Sequence, residues 1–392
     1  MMSSFVQQRI REQLQSLDAD GLRREPRTAD SLPCGRCLIN GQELINFGSN
    51  DYLGLAHDPR VCEAFREVAA NQVGATASSL ITGRSSHHVV LERQLAEFEQ
   101  CESVLLFPTG FAANAGILQA LATSDDVIFS ESENHASLID GCRGTKSHVR
   151  IYDRHRLDDF RVVLQECRST FDGGFIVTDG VFSMDGTVAP LQELCDLADE
   201  FHLAVIVDEA HGTGVLGNHG RGASELAGVE HRTFLRIGTL SKALGGLGGF
   251  VAGCHNTIEW LRNRARTQFF STAAPPAVCA AVSESLKIVE TEPERRSRLS
   301  ELNQSAREHA QAAGLTLIGD GLAPIIAVSI PDPADTIQVS TRLQAEGWFV
   351  PAILPPTVAT GTSRLRLSLT ADHQISDVHS AIDTIAGIMA PV

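Results

Sequence analysis

The sequence predicts an α/β fold, with a mostly parallel central sheet in a large domain and a smaller α+β domain at the C-terminal end. Three observations carry this. Between about residues 46 and 288, short unbroken apolar runs alternate with amphipathic helical patterns, as buried parallel strands covered on both faces require. After residue 289 the texture changes to a long polar helix and short strands. The length, 392 residues, suits about two or three domains.

In chain order, Val6, Ile10, Leu14 and Leu17 recur at helical spacing, so the start reads as an amphipathic helix without the apolar run of a secretory signal. Residues 1–45 continue through an arginine-rich linker to a hairpin, CLINGQELINF, turning at Asn40-Gly41. The large domain, 46–288, takes its strands from VLLF (104–107), VIFS (127–130), FIVTD (175–179), AVIVD (204–208), FLRIGTL (234–240) and GFVAG (249–253). Leu91, Leu95 and Phe98 share one helical face; Leu191, Leu194 and Ala198 share another, in a helix that Pro190 can start. The last domain, 289–392, reads as a long polar helix, IIAVSI, a helix over 335–346, WFVPAIL, RLRLSL and a final helix.

Charge excludes some functions. With 32 basic against 48 acidic residues the formal net charge is −16, which repels phosphate backbones and anionic membranes. Neither nucleic acid nor membrane is an expected partner. The nine cysteines are scattered and odd in number, which suits reduced thiols and a cytoplasmic location. Cys34 and Cys37 form a C-x-x-C without a second pair or nearby histidines, so no metal is expected.

Four stretches carry chemistry. GTGVLG (212–217) matches G-x-G-x-x-G, yet it neither follows a strand directly nor opens an apolar helix, so it is no dinucleotide fingerprint. AVIVDEAHGTG places Asp208 at a strand's carboxyl end, where open α/β sheets bind ligands, with His211 three residues on. Alone, Asp208 reads equally as a turn cap. LLFPTGFAANAGILQAL ends a strand at Phe107 and starts a helix near Ala112. The N–H groups of Gly110 and Phe111 then suit a phosphate, although an ordinary βα turn reads as well. GTLSKALGG holds Lys242, one of only three lysines, between a buried strand and a glycine loop. Desolvation there makes its amine a nucleophile. A phosphate cradle, a carboxylate, a histidine and an amine at the strand ends of one sheet match pyridoxal phosphate, whose pyridinium nitrogen takes an acidic partner. The glycines after Lys242 read as room for the cofactor ring.

TLSKALGG, VDEAHGTGVLG, NHASLIDG, DGVFSMDG and SNDYLGL together resemble the α-oxoamine synthases, over nearly the full chain. These are fold-type-I pyridoxal-phosphate enzymes, aspartate-aminotransferase-like in architecture, that condense an amino acid with an acyl thioester and release CO2. The resemblance implies the following roles. Lys242 carries the cofactor and serves as acid/base at the substrate Cα. Asp208 holds the pyridine nitrogen, His211 the ring hydroxyl, and His135 stacks on the ring, with Ser183 beside it. Gly110, Phe111, Thr239 and Ser241 hold the phosphate. Thr272 reaches the neighbouring subunit's phosphate, which implies a homodimer with shared sites. Arg366 grips the amino-acid carboxylate, with Asn50 beside it.

DEAHGTGVLG and the tail LPPTVATGTSRLRLSLTADH look most like members that join L-alanine to a pimeloyl thioester carried by CoA or an acyl carrier protein. Thr357 and Arg23 match substrate-contacting positions of that branch. Members using glycine with acetyl-CoA or succinyl-CoA, or serine with palmitoyl-CoA, are the alternatives. The family's glycine-serine stretch near the pocket, often similar to GSGGSR, reads GATASS here (74–79). Arg23, Arg24 and Arg27 form a short basic cluster suited to an acidic carrier protein.

Overall fold

The computed structural model describes residues 2–19, 21, 23, 26–167 and 170–390. Its centre is a seven-stranded sheet, ordered Ser103–Phe107, Gly249–Gly253, Leu235–Thr239, Ala204–Asp208, Gly173–Asp179, Asp126–Glu131 and His148–Tyr152. Gly249–Gly253 runs antiparallel to both neighbours. The remaining pairs are parallel, as the unbroken apolar runs require. The edge strand His148–Tyr152 is absent from the sequence reading. Its first four residues are exposed, so no apolar run marks it.

The sheet sorts its side chains by the two-residue period of a strand. Leu105, Phe107 and Val251 pack with Ile117, Leu138 and Leu261 on one face. Val104, Leu106 and Phe250 pack with Leu91, Leu95 and Val282 on the other. That second core continues into the C-terminal part through Leu302, Ile326, Leu367 and Ile382. There Leu317–Ile318, Ile325–Ser329, Arg364–Ser368 and Ala352–Ile353 form an antiparallel sheet. Helices Glu294–Ala312, Pro333–Ala345 and Ile375–Met389 accompany it. Helix Pro276–Thr291 spans the point where the sequence texture changes.

The N-terminal helix Met2–Ala19 leaves Val6, Ile10, Leu14 and Leu17 exposed. The hairpin forms as read. Asn40 and Gly41, at φ 52° and 80°, make the two-residue turn whose twist suits paired strands. Ala29–Leu32 adds a strand the sequence does not announce, and Trp348–Phe349 pairs parallel to Gln42–Asn46. The first segment is thereby joined to the last.

Candidate active site

The carboxyl ends of three neighbouring strands meet the start of one helix. Asp208 and Asp179 each end a strand and are register partners, and Thr239 ends the next. The helix runs Gly110–Leu121, two residues earlier than the sequence suggests, because the Thr109 side chain caps it by accepting from Ala112 N at 3.0 Å. Gly110 and Phe111 are therefore its first two residues, whose N–H groups have no intrahelical partner. Between these elements lies a cavity of about 200 Å³, lined by Gly110, Phe111, His135, Ser183, Asp208, His211, Thr239, Ser241 and Lys242, with Asn114 and Asp179. Nine residues named from the sequence thus share one wall.

Others adjoin it or stand apart. Arg366 donates through Nε to the Ser183 carbonyl at 2.6 Å and through Nη2 to Asn50 Oδ1 at 3.1 Å. Thr357 is exposed and lines a second cavity of about 340 Å³ that shares Ser183 with the first. Thr272 is exposed, in a bridge to Ser78. Arg23 is exposed and paired with Asp18 at 2.8 Å, away from the cavity within this chain. Arg27 lies against Phe349, its guanidinium 5.8 Å from the ring. Arg24 lies outside the described residues.

Two groups hold the buried Asp208 carboxylate: Ala210 N donates to Oδ1 at 2.8 Å, and Asn114 Nδ2 to Oδ2 at 2.6 Å. Asn114 Nδ2 also donates to Ser137 Oγ at 2.8 Å. That hydroxyl lies 2.6 Å from His135 Nδ1, and the His135 backbone N–H donates to Asp179 Oδ2 at 3.0 Å. Burial pulls the Lys242 amine down to about 8, while Asp208 and Asp179 resist. Burial, then the charges of Lys242 and Arg366, hold His211 neutral, well below the usual histidine range. Burial lowers His135 too. Asp179 is pushed well above the carboxylate range, first by burial and then by the charge of Asp208.

This set fits pyridoxal phosphate. Among the described residues, the buried Asn114 Oδ1 and Asp179 Oδ1 have no hydrogen-bond partner. Both residues line the cavity. At one end, the helix start and the Thr239 and Ser241 hydroxyls, 2.7 Å apart, suit an anion. At the other, a held carboxylate awaits a cation. A lowered amine stands beside them.

Sequence reasoning missed Asn114, Ser137, Asp179 and Tyr52, whose hydroxyl lies 2.6 Å from His211 Nδ1. Signals existed: an asparagine in an otherwise apolar helix, an aspartate ending a strand, and one of two tyrosines in the chain. The glycines after Lys242 need correcting. They make no room for a ring. An added Cβ at Gly245 would lie 2.5 Å from Ala56 N, and one at Gly246 2.4 Å from Val282, so these residues let the loop pack on its neighbours. GTGVLG likewise serves a buried carboxylate. Glu209 accepts from Ala223 N and Ser224 N, both at 2.7 Å, and a Cβ at Gly212 would come within 2.3 Å of it.

Residues 42–385 match the family model for aminotransferase class I and II. The 8-amino-7-oxononanoate synthase 2 of Bacillus subtilis (strain 168) is 42% identical, over 97% of this chain and 97% of its own. The chain belongs to this family, in its 8-amino-7-oxononanoate synthase branch. Among solved structures, this family member resembles a serine palmitoyltransferase from S. paucimobilis with bound PLP, at TM-score 0.91 and 27% identity, over 97% of this chain and 96% of that one. It also resembles an 8-amino-7-oxononanoate synthase from Francisella tularensis, at TM-score 0.75 and 28% identity, over 88% of this chain and 97% of that one. The fold is therefore that of the pyridoxal-phosphate enzymes of type I. All nine cysteines are free of disulfides. Cys34 is exposed at a turn, whereas Cys37 is buried beside Ile39 and Leu44. Among the described residues, no group of three His, Cys, Asp or Glu side chains is placed to hold a metal, and no helix is long and apolar enough to cross a membrane.

Proposed function

We propose that this chain uses pyridoxal phosphate to condense L-alanine with a pimeloyl thioester, giving 8-amino-7-oxononanoate, CO2 and the free thiol carrier, a reaction of biotin synthesis. The observation that carries the reading is the convergence of Lys242, Asp208 and the Gly110–Phe111 helix start on one cavity, in a chain so similar to a synthase of that name. Bound pyridoxal phosphate supplies an electron sink for charge developing at the substrate Cα.

The residues would act as follows. Gly110 and Phe111 N–H groups and the Thr239 and Ser241 hydroxyls hold the phosphate. Asp208, kept in place by Asn114 and Ala210, accepts the pyridine N–H and keeps that nitrogen protonated. His135 covers the ring face, and His211 donates to the ring oxygen. Lys242 would hold the cofactor through its amine. Its amine, basic enough at about 8, would take the Cα proton and later return one. Arg366, with Asn50 beside it, binds the amino-acid carboxylate; a guanidinium matches that planar anion by two parallel hydrogen bonds. The acyl chain enters past Thr357 through the adjoining cavity, with Arg23 as a further substrate contact. Thr272 extends to the phosphate of a second copy in a homodimer. The carrier is CoA or an acyl carrier protein docking near Arg23, Arg24 and Arg27.

The test is a matrix of L-alanine, glycine and L-serine against pimeloyl, acetyl and palmitoyl thioesters, scored by thioester-dependent CO2 release. Alanine with the pimeloyl thioester should turn over fastest. Preference for serine with palmitoyl thioester, the pairing suggested by the fold's likeness to serine palmitoyltransferase, would overturn the assignment.

A further inference from the structure

Behind the cavity wall a row of polar contacts runs from Arg366 to His211. Arg366 Nη2 donates to Asn50 Oδ1 at 3.1 Å; the Tyr52 hydroxyl is 3.3 Å from that oxygen and 2.6 Å from His211 Nδ1. Tyr52 is wholly buried in the large apolar core, so its hydroxyl has one position. Two proton arrangements are open. Either the hydroxyl donates to Nδ1 and the neutral imidazole keeps its proton on Nε2, or Nδ1–H donates to the hydroxyl, which passes its own proton to Asn50.

Three observations select the first. A separation of 2.6 Å is short for an N–H donor, whose bonds cluster near about 2.9–3.0 Å, and natural for an O–H donor. The hydroxyl's other acceptor, Asn50 Oδ1, lies at 3.3 Å, much farther than His211 Nδ1, and already accepts from a charged guanidinium. Burial pushes the Tyr52 hydroxyl up to about 12 while the Arg366 charge works against it; that cation strengthens the hydroxyl as a donor and weakens it as an acceptor. We propose that Tyr52 is a positioning residue that fixes His211 in the Nε2–H tautomer, so that His211 presents a hydrogen-bond donor, and no acceptor, to the cavity. His211 lines the cavity while Tyr52 does not; with Nδ1 occupied, the Nε2 edge is the one left for a ligand. A donor there suits an anionic ring oxygen, which an acceptor would repel. This last step rests on the pyridoxal-phosphate reading given above.

Long-range ¹⁵N–¹H NMR of histidine-labelled, cofactor-free protein reads the tautomer directly, with the His211 signal identified by its loss in His211→Gln. The wild type should show the Nε2–H form. Tyr52→Phe keeps the buried ring and removes only the hydroxyl. It should give a mixture of both tautomers and weaken pyridoxal phosphate binding about tenfold, the size of one buried hydrogen bond. Asn50→Ala should leave the tautomer as it is. An Nδ1–H form in the wild type, an unchanged tautomer in Tyr52→Phe, or a change in Asn50→Ala would overturn the proposal. If Tyr52→Phe does not fold, the wild-type tautomer and Asn50→Ala decide it. Should the tautomer results hold in a protein that does not bind pyridoxal phosphate, the assignment of Tyr52 stands and the functional reading fails.

Discussion

Lys242 owes its chemistry to its surroundings rather than to its type. Burial between a strand end and a small-residue loop lowers its amine from 10.5 to about 8, against the pull of Asp208 and Asp179. The sign matters for function: a lowered ammonium pKa leaves a useful neutral fraction near pH 7–8, roughly, where an ordinary lysine is almost wholly charged. Pyridoxal phosphate capture by cofactor-free protein, followed by absorbance, should therefore rise with pH about a midpoint near 8. Lys242→Ala should capture none, and Asp208→Asn, by removing an attracting charge, should move the midpoint lower still. A midpoint near 10 would refute the burial argument. Lys242, Asp208 and His211 were legible in the sequence because each follows directly from a strand's end, a local feature. Asn114 and Tyr52 were not, because their partners come from separate elements: Asn114 meets Asp208 across 94 positions of sequence and Tyr52 meets His211 across 159.

At the scale of elements, the anion-ready helix start depends on the strand beside it. Gly249 opens the one antiparallel strand of the central sheet, and a Cβ there would lie 2.7 Å from Gly110 Cα, Gly110 N and Thr109 O. All three are backbone atoms, so the helix start itself would have to move. Gly249→Ala should cost about 2 kcal/mol, as overpacking does, and weaken pyridoxal phosphate binding, read by the urea midpoint and by titration. Gly387, within helix Ile375–Met389, has nothing within 4 Å of its added Cβ. Gly387→Ala should stabilise by about 0.5–1 kcal/mol. If the two substitutions behave alike, the close approach at Gly249 does not limit the site. The strands were readable as apolar runs, but the reversed direction of Gly249–Gly253 was not. Direction depends on the length and route of connections, which a five-residue run does not encode.

Across the whole molecule, the large and C-terminal parts are tied by charge as well as by a shared apolar core. Asp58 caps helix Pro59–Ala69 by accepting from Arg60 N at 3.0 Å, and takes Arg60 Nη2 and Arg295 Nη2 at 2.9 Å each. Arg295 belongs to helix Glu294–Ala312. The Arg60 side chain is the main cause holding the Asp58 carboxyl below its usual range, against burial and with help from Arg295. A carboxyl lowered in the folded state stabilises above its unfolded value and loses that contribution as pH falls through the folded one. Asp58→Asn should cost about 2 kcal/mol at neutral pH, and the gap to wild type should close below pH about 4. Urea midpoints at the two pH values check this, and a gap independent of pH would refute it.

The sequence by itself determined the α/β class, most strands and helices, and the strand-end residues that give the cavity its amine, carboxylate and helix start. These follow from local rules: a two-residue or 3.6-residue period, a cap, a glycine turn. The tertiary structure alone decided how Asn114 holds Asp208 and how Tyr52 meets His211. It also decided that the glycines after Lys242 serve packing, and that the first segment joins the last. Each of these rests on contacts between residues far apart in sequence, and their distances exist only once the backbone has closed around them.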